Sequence, residues 1–209
     1  MNGSEVGFEG LASAFVSRGG VDQVPEGVSL DLSGIDRAIK SGLPVGGYFV
    51  VECWDKDGNL RWEDTAENMV TTLGLNSLLN VYLGDTTQLT AWYIGLIDNS
   101  GFTALAAGDT MAGHGGWSEV SGSNFSNSSR PQWTPGSASA GAVVNVASVN
   151  YSMIPSGTDT IYGMFLVSDN TKAGTAGVLF ATAAFSGGTQ ATNSGDTLKI
   201  TYTVSATST

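Results

Sequence analysis

The sequence contains a single cysteine and a single histidine among its 209 residues. A disulfide needs two cysteines and a thiolate cluster needs several, so Cys53 can form neither within the chain. Cys53 stands in an apolar run, where we expect a plain buried thiol. His114 lacks the companion ligands that a zinc site requires, and we expect it to order its glycine-rich loop. We therefore predict no metal and no cofactor.

Long apolar runs and basic residues are also scarce. No apolar run approaches the roughly 20 residues that cross a bilayer, and MNGSEVGFEG lacks the basic and apolar regions of a secretory signal. Nineteen acidic residues outnumber eight basic ones, and the net charge is −11. Such a surface repels phosphate backbones. We expect neither a membrane nor a nucleic acid as a partner.

Glycine, in contrast, is abundant. It occupies 29 of 209 positions, about twice the usual share of roughly 7%. Together with the many small residues in the second half, it favours short strands joined by tight turns. Strand patterns occupy residues 48–54, 60–64, 89–97, 142–154, 158–168, 177–185 and 197–205. We predict a mainly β fold at residues 47–209, an antiparallel β-sandwich or jelly-roll-like domain.

One helix is expected within this domain, followed by a central strand. Its apolar residues recur at three- and four-residue steps, which is the spacing of one helical face: Leu75, Leu78, Leu79 and Tyr82. Thr71 or Thr72 suits the N-cap, and Gly84 suits a left-handed residue at the C-terminal end. The nearly unbroken apolar run up to Ile97 indicates a strand covered on both faces. We expect the core to form around this stretch.

Residues 1–46 do not follow the sandwich pattern, and we predict an extended N-terminal arm. Two short pieces have a helical apolar face, formed by Phe8, Leu11, Ala12 and Phe15 in the first and by Leu32, Ile35 and Ile39 in the second. Neither piece is long enough to be a stable helix alone in water. The arm either folds back on its own domain or docks on another subunit. Its candidate partner-binding residues are Phe8, Leu11, Phe15, Ile35 and Ile39.

The long segment between residues 98 and 135 carries two further candidates, Trp117 and Trp133. Exposed tryptophans stack on sugars, whereas tryptophans in such loops more often pack the loop down. We keep both as candidate partner-binding residues. If they are exposed, the domain suits a carbohydrate-binding β-sandwich module.

No motif predicts a catalytic site. Asp55-x-Asp57-x-Asn59 opens like a calcium loop, but the sixth and twelfth positions are Leu60 and Ala66 instead of glycine and glutamate. A hairpin turn is therefore favoured there. No serine lies in a nucleophile-elbow motif, and neighbouring acids on a strand point to opposite faces. We expect a protein that is not an enzyme.

Several motifs together resemble those of small virion structural proteins of tailed bacteriophages. They are NMVTT-x-GL from Asn68, Leu78-Leu79, WYIGL from Trp92, AGDTMA-x-H-x-GW-x-E from Ala107, the WDKDGN hairpin and the closing GDTLKITYTV. The resemblance spans roughly residues 47–205 and leaves the arm outside it.

This resemblance implies a capsid decoration, or cement, protein that stabilises the phage head by bridging capsomers through its arm. The implied partners are the major capsid protein and neighbouring copies of the chain, with a homotrimer as one implied arrangement. The implied location is the capsid surface of the virion, after synthesis in the bacterial host cytoplasm. A head-fibre, tail or baseplate component is the alternative role within the same class.

Overall fold

The computed structural model describes residues 44–120 and 122–207. The predicted arm at 1–46 lies outside this part of the chain, apart from its last three residues. Val45 already belongs to the first strand, so the sandwich begins two residues before the expected boundary.

The described residues form ten strands and one helix. Their bounds are β1 Val45–Trp54, β2 Leu60–Val70, α1 Thr72–Leu83, β3 Trp92–Asp98, β4 Gln132–Trp133, β5 Ala142–Val144, β6 Val149–Ser152, β7 Asp159–Val167, β8 Leu179–Ala184, β9 Gln190–Thr192 and β10 Thr197–Ala206. The strand predicted at 142–154 is two strands, β5 and β6. The two short strands β4 and β9 have no counterpart among the predicted runs.

All strand pairs are antiparallel, in the order β4-β3-β7-β8-β2-β1-β10-β5, with β6 beside β10 and β9 beside β7. β2 belongs to both halves of this arrangement. Its residues from Leu60 to Glu67 pair with β1, and Asn68–Val70 pair with β8. The chain therefore folds into a mainly β, antiparallel sandwich whose two sheets share one strand, as the glycine-rich strand pattern predicts.

The main core lies between the two sheets. Alternate residues of β10, from Leu198 to Tyr202, are fully buried, which confirms the predicted alternation. The ring of Phe49 on β1 stacks on Tyr202 at a centroid distance of 3.9 Å. Facing side chains from the other sheet complete the cluster, among them Ile94, Leu96, Met164, Leu166, Ala181 and Ala183.

A second core covers the opposite face of β3, β7 and β8. It contains Ile97, Met111, Trp117, Phe165, Val167 and Leu179, so part of the 98–135 segment acts as a third layer. The ring of Phe165 lies against Gly95, where a Cβ atom would come 2.1 Å from it. β3 is thus covered on both faces, as predicted.

A buried ion pair stabilises this third layer. Arg130 Nε donates to Glu119 Oε1 at 2.9 Å, and Arg130 Nη2 donates to Oε2 at 2.8 Å. The same guanidinium donates to the carbonyls of Asp169 and Gly174, and Glu119 Oε2 also accepts from the amide of Ala173 at 2.7 Å. Each buried charge therefore has several partners, which is the condition under which such a pair is tolerated.

Helix α1 begins as predicted but ends differently. The Thr71 hydroxyl accepts from the Gly74 amide at 2.9 Å, which makes Thr71 the N-cap. Gly84 at the other end has φ −99° and ψ −159°. The predicted left-handed conformation at Gly84 is therefore wrong, because the chain leaves the helix in an extended conformation. The Gly84 amide still donates to the Asn80 carbonyl, at 3.1 Å.

Candidate partner-binding surface

The predicted partner-binding residues of the arm cannot be placed. Phe8, Leu11, Phe15, Ile35 and Ile39 all lie outside the described residues, and their proposed contacts stay predictions. The two tryptophans can be placed.

Trp117 is buried, with 4% of its surface exposed. Its ring stacks on His114 at 3.9 Å and meets Phe165 at 5.1 Å, while its Nε1 donates to Asp109 Oδ2 at 2.9 Å. The Asp109 carboxylate also accepts from the Ala106 amide. The interpretation that this tryptophan packs the loop down is confirmed. The expected loop-ordering role of His114 agrees with its stacking contact and with the 2.9 Å separation of its Nδ1 from the Trp117 carbonyl oxygen.

Trp133 lies on β4 and is 5% exposed. Its Nε1 donates to the carbonyl of Tyr202 at 3.2 Å, which holds the indole against the core. The alternative of exposed indoles is therefore not borne out at either tryptophan, because each ring is buried with its N–H satisfied. Neither indole presents a free face on which a sugar ring could stack.

The calcium-like motif is a hairpin turn, as favoured. Asp55 Oδ1 accepts from the amides of Asp57 and Asn59 at 2.9 and 2.8 Å, and Gly58 adopts the positive φ of 84° that the turn needs. The Asp55 carboxylate is thus engaged by its own loop. These backbone and side-chain hydrogen bonds, with those of Asn59 first, lower the pKa of Asp55.

Helix α1 carries an apolar surface that the sequence pattern assigned to the core. Tyr82 is 85% exposed, Leu83 80% and Leu79 53%, and Leu75 and Leu78 on the same side are also exposed. We call these five side chains the α1 face. The expectation that this face builds the core is wrong.

The reason is a close backbone contact on the other side of the helix. Gly74 is buried against β8, where a Cβ atom would lie 2.4 Å from the carbonyl oxygen of Phe180. At 3.6 residues per turn, Ser77 and Val81 follow Gly74 on this side. The helix therefore packs through the side of Gly74, which permits the close approach. Leu79 and Leu83 point away from the sheet, about 140–180° around the helix axis from Gly74, whereas Leu78 lies at the margin of the packed side.

An apolar groove of about 350 Å³ lies beside the α1 face. The helix contributes one wall through Leu78 and Val81, and the segment after it contributes Leu89. The sheets contribute the remaining lining, chiefly Trp92, Trp133, Pro135, Val143, Leu166, Phe180 and Val204. The α1 face and this groove form a continuous apolar surface, because Leu78 belongs to both.

The whole of helix α1 is uncharged, from Thr72 to Leu83. This is unusual in a protein with a net charge of −11, since exposed helix residues are commonly charged. Burying each large apolar side chain fully is worth about 1.5–3 kcal/mol. Because the five side chains of the α1 face are already partly covered, their complete burial would contribute on the order of 5 kcal/mol to the free energy of binding. Chemically, this surface suits protein–protein contact.

Sequence reasoning missed this surface although one signal was available. The three- and four-residue spacing identified the apolar side of the helix correctly. The opposite side carries Gly74, Ser77 and Val81 and no charge, and a helix without any charged face is typical of one covered on both sides.

Among residues 44–120 and 122–207, no three histidine, cysteine or acidic side chains are grouped as metal ligands would be. The sole helix of this part of the chain is too short to span a bilayer.

Comparisons of the sequence with protein-family models and with curated proteins find no match. The resemblance to bacteriophage virion proteins therefore stays a prediction.

Proposed function

We propose that this protein is a structural component of a bacteriophage virion, a capsid decoration protein that stabilises the head by bridging neighbouring subunits. One observation supports it above the others: the sandwich exposes a contiguous, uncharged apolar surface, the α1 face and its groove. Such patches mark protein–protein interaction sites. The motif resemblance supplies the assembly in which this contact would operate.

In this proposal the arm makes the contacts with the major capsid protein. Phe8, Leu11 and Phe15 would bury on a neighbouring subunit, with Ile35 and Ile39 adding to that contact. Each fully buried side chain is worth about 1.5–3 kcal/mol, so one arm supplies several kcal/mol before the cost of ordering it. Many copies around one particle multiply the effect through effective concentration.

The test is to add purified protein to phage heads that lack it. We expect the protein to bind and to restore resistance to heat and osmotic shock. Electron microscopy of labelled particles locates the bound copies. Binding to tails or baseplates with the heads left bare would contradict the decoration role and favour the alternative virion location.

A pair of matched variants separates the arm from the sandwich. Replacing Phe8, Leu11 and Phe15 together by serine should weaken head binding at least tenfold. The same change at Leu60, an exposed leucine at the start of β2, should leave head binding unchanged. Equal binding by both variants would remove the arm from the proposal.

A further inference from the structure

We infer that the α1 face is a self-association surface, on which a second copy of this chain packs its own helix α1. The inference deepens the proposed function, and it rests on that proposal only for the role of the contact within a shell. The contact itself follows from the described residues and can be measured without any capsid.

The spacing of the apolar residues on α1 suits packing against another helix. Leu75, Leu79 and Tyr82 follow one another at four- and three-residue steps along the helix, and such a seam packs best against the side chains of another helix. Within residues 44–120 and 122–207, α1 is the sole helix. A second copy supplies the matching helix, because identical patches meet in a symmetric pair.

The charge distribution also favours contact between two copies at α1. Two copies that each carry a net charge of −11 repel one another over most surfaces. Helix α1 contains no charged residue, so the copies can meet there without placing like charges directly opposite. Depletion of charge and enrichment of aromatic residues mark the centre of an interface, and Tyr82 is the most exposed of the large apolar residues in the described part of the chain.

The exposed apolar area at α1 is close to what an interface requires. The five side chains of the α1 face expose on the order of 400 Å² of apolar surface. A stable interface takes about 800 Å² from each partner. The groove adjoins the α1 face through Leu78 and supplies further apolar area, including Leu89, Trp92 and Val143. The α1 face with its flank therefore approaches the size that a specific pair needs.

The experiment measures the mass of the full-length protein by sedimentation equilibrium over a range of concentrations. We expect two copies of the 21.5 kDa chain, or a higher multiple, at the upper end of that range. Leu79→Glu places like charges at the centre of the contact and should weaken association at least tenfold. Leu60→Glu, at an exposed leucine at the start of β2, is the matched control and should not weaken it.

Mixing two variants tests whether α1 meets α1. Leu79→Glu and Leu79→Lys should each be impaired alone, whereas their equimolar mixture should recover association because opposite charges now face each other. Recovery is not expected if the helix binds a different part of the second copy. Circular dichroism of each variant checks that the fold is kept.

Cross-linking gives a readout that does not depend on charge. Cys53 is the only native cysteine and is buried, so Leu79→Cys introduces a single accessible thiol. Mild oxidation should join two copies through this position, and Leu60→Cys should give no such product. A chain that is monomeric at every concentration, or an oligomer that Leu79→Glu leaves intact, would overturn the inference whether or not the protein binds phage heads.

Discussion

Removing the buried guanidinium of Arg130 should destabilise the domain severely. Arg130→Met keeps an unbranched side chain up to about the position of the arginine Nε but deletes both hydrogen bonds to Glu119. The Glu119 carboxylate then stays buried with the Ala173 amide as its remaining donor. The carbonyls of Asp169 and Gly174 lose a donor as well. Removing one partner of a buried ion pair lowers the free energy of unfolding by about 3–5 kcal/mol, because the remaining charge stays buried without its counter-charge.

Equilibrium unfolding in urea, followed by tryptophan fluorescence, measures this loss. In a domain of this size each kcal/mol lowers the melting temperature by about 2–4 °C. We therefore expect a decrease of roughly 10 °C in a parallel thermal scan. The fluorescence change should include Trp117, which lies in the layer that the ion pair fastens.

A double variant separates the ion pair from simple packing. Arg130→Met with Glu119→Gln removes both charges, so we expect it to recover at least half of the free energy of unfolding that the single variant loses. Lys56→Met disrupts an exposed pair with Asp57 and should change stability little. If Arg130→Met behaved like Lys56→Met, the reasoning about desolvation would be refuted.

Three further predictions follow from other described residues. Gly74→Ala should destabilise the domain by about 1 kcal/mol or more, since the clash with the Phe180 carbonyl outweighs the gain of about 1 kcal/mol in helix propensity; urea unfolding measures it. Burial alone would raise the pKa of Asp64, but the carboxylate accepts several hydrogen bonds, of which the one from the Ser186 side chain has the largest effect. Together they hold the pKa of Asp64 below its ordinary value of 3.8. A carboxyl group with a lowered pKa stabilises the fold at pH values above its unfolded-state pKa. This stabilisation is lost as the pH falls through the folded-state pKa. Asp64→Asn should therefore lower the free energy of unfolding at neutral pH and reduce the loss of stability in acid. Burial raises the pKa of Cys53 to about 12, so the native thiol should resist a thiol reagent at pH 8 and react on unfolding.

Each of these predictions has a result that contradicts it. For Gly74→Ala it is an increase in stability, with Asn76→Ala on the exposed side of the helix as the control. For Asp64→Asn it is a free energy of unfolding that falls in acid as steeply as that of the unchanged protein. For Cys53 it is a native reaction rate equal to that of the unfolded chain.

Local patterns in the sequence were sufficient for much of the fold. The alternation from Leu198 to Tyr202 identified β10 and its buried face, because a strand has a period of two. Thr71 was recognised as a possible N-cap because its hydroxyl can satisfy an otherwise free amide. β4 and β9 were missed, since two or three residues are too few to display any period.

The candidate surface was harder to predict because it depends on contacts between distant residues. The spacing of Leu75, Leu79 and Tyr82 defines a side of a helix but not the direction in which that side points. The direction follows from the approach of Gly74 to Phe180, which are more than 100 residues apart. The burial of Trp117 and Trp133 likewise depends on partners supplied by other strands, and composition alone does not reveal them.

The place of β10 between β1 and β5 has a consequence for how the chain is made. β1 pairs along its whole length with β10, and β10 leaves the ribosome about 150 residues later, which is roughly 8–30 s at ordinary rates of synthesis. During that interval β1 has only β2 beside it, and its other edge, with Phe49 and Val51 nearby, has no native partner among the strands already made. Such an edge is prone to aberrant pairing. The yield of folded protein in a producing cell should therefore respond to chaperone supply and to growth temperature more strongly than the stability of the finished sandwich would suggest.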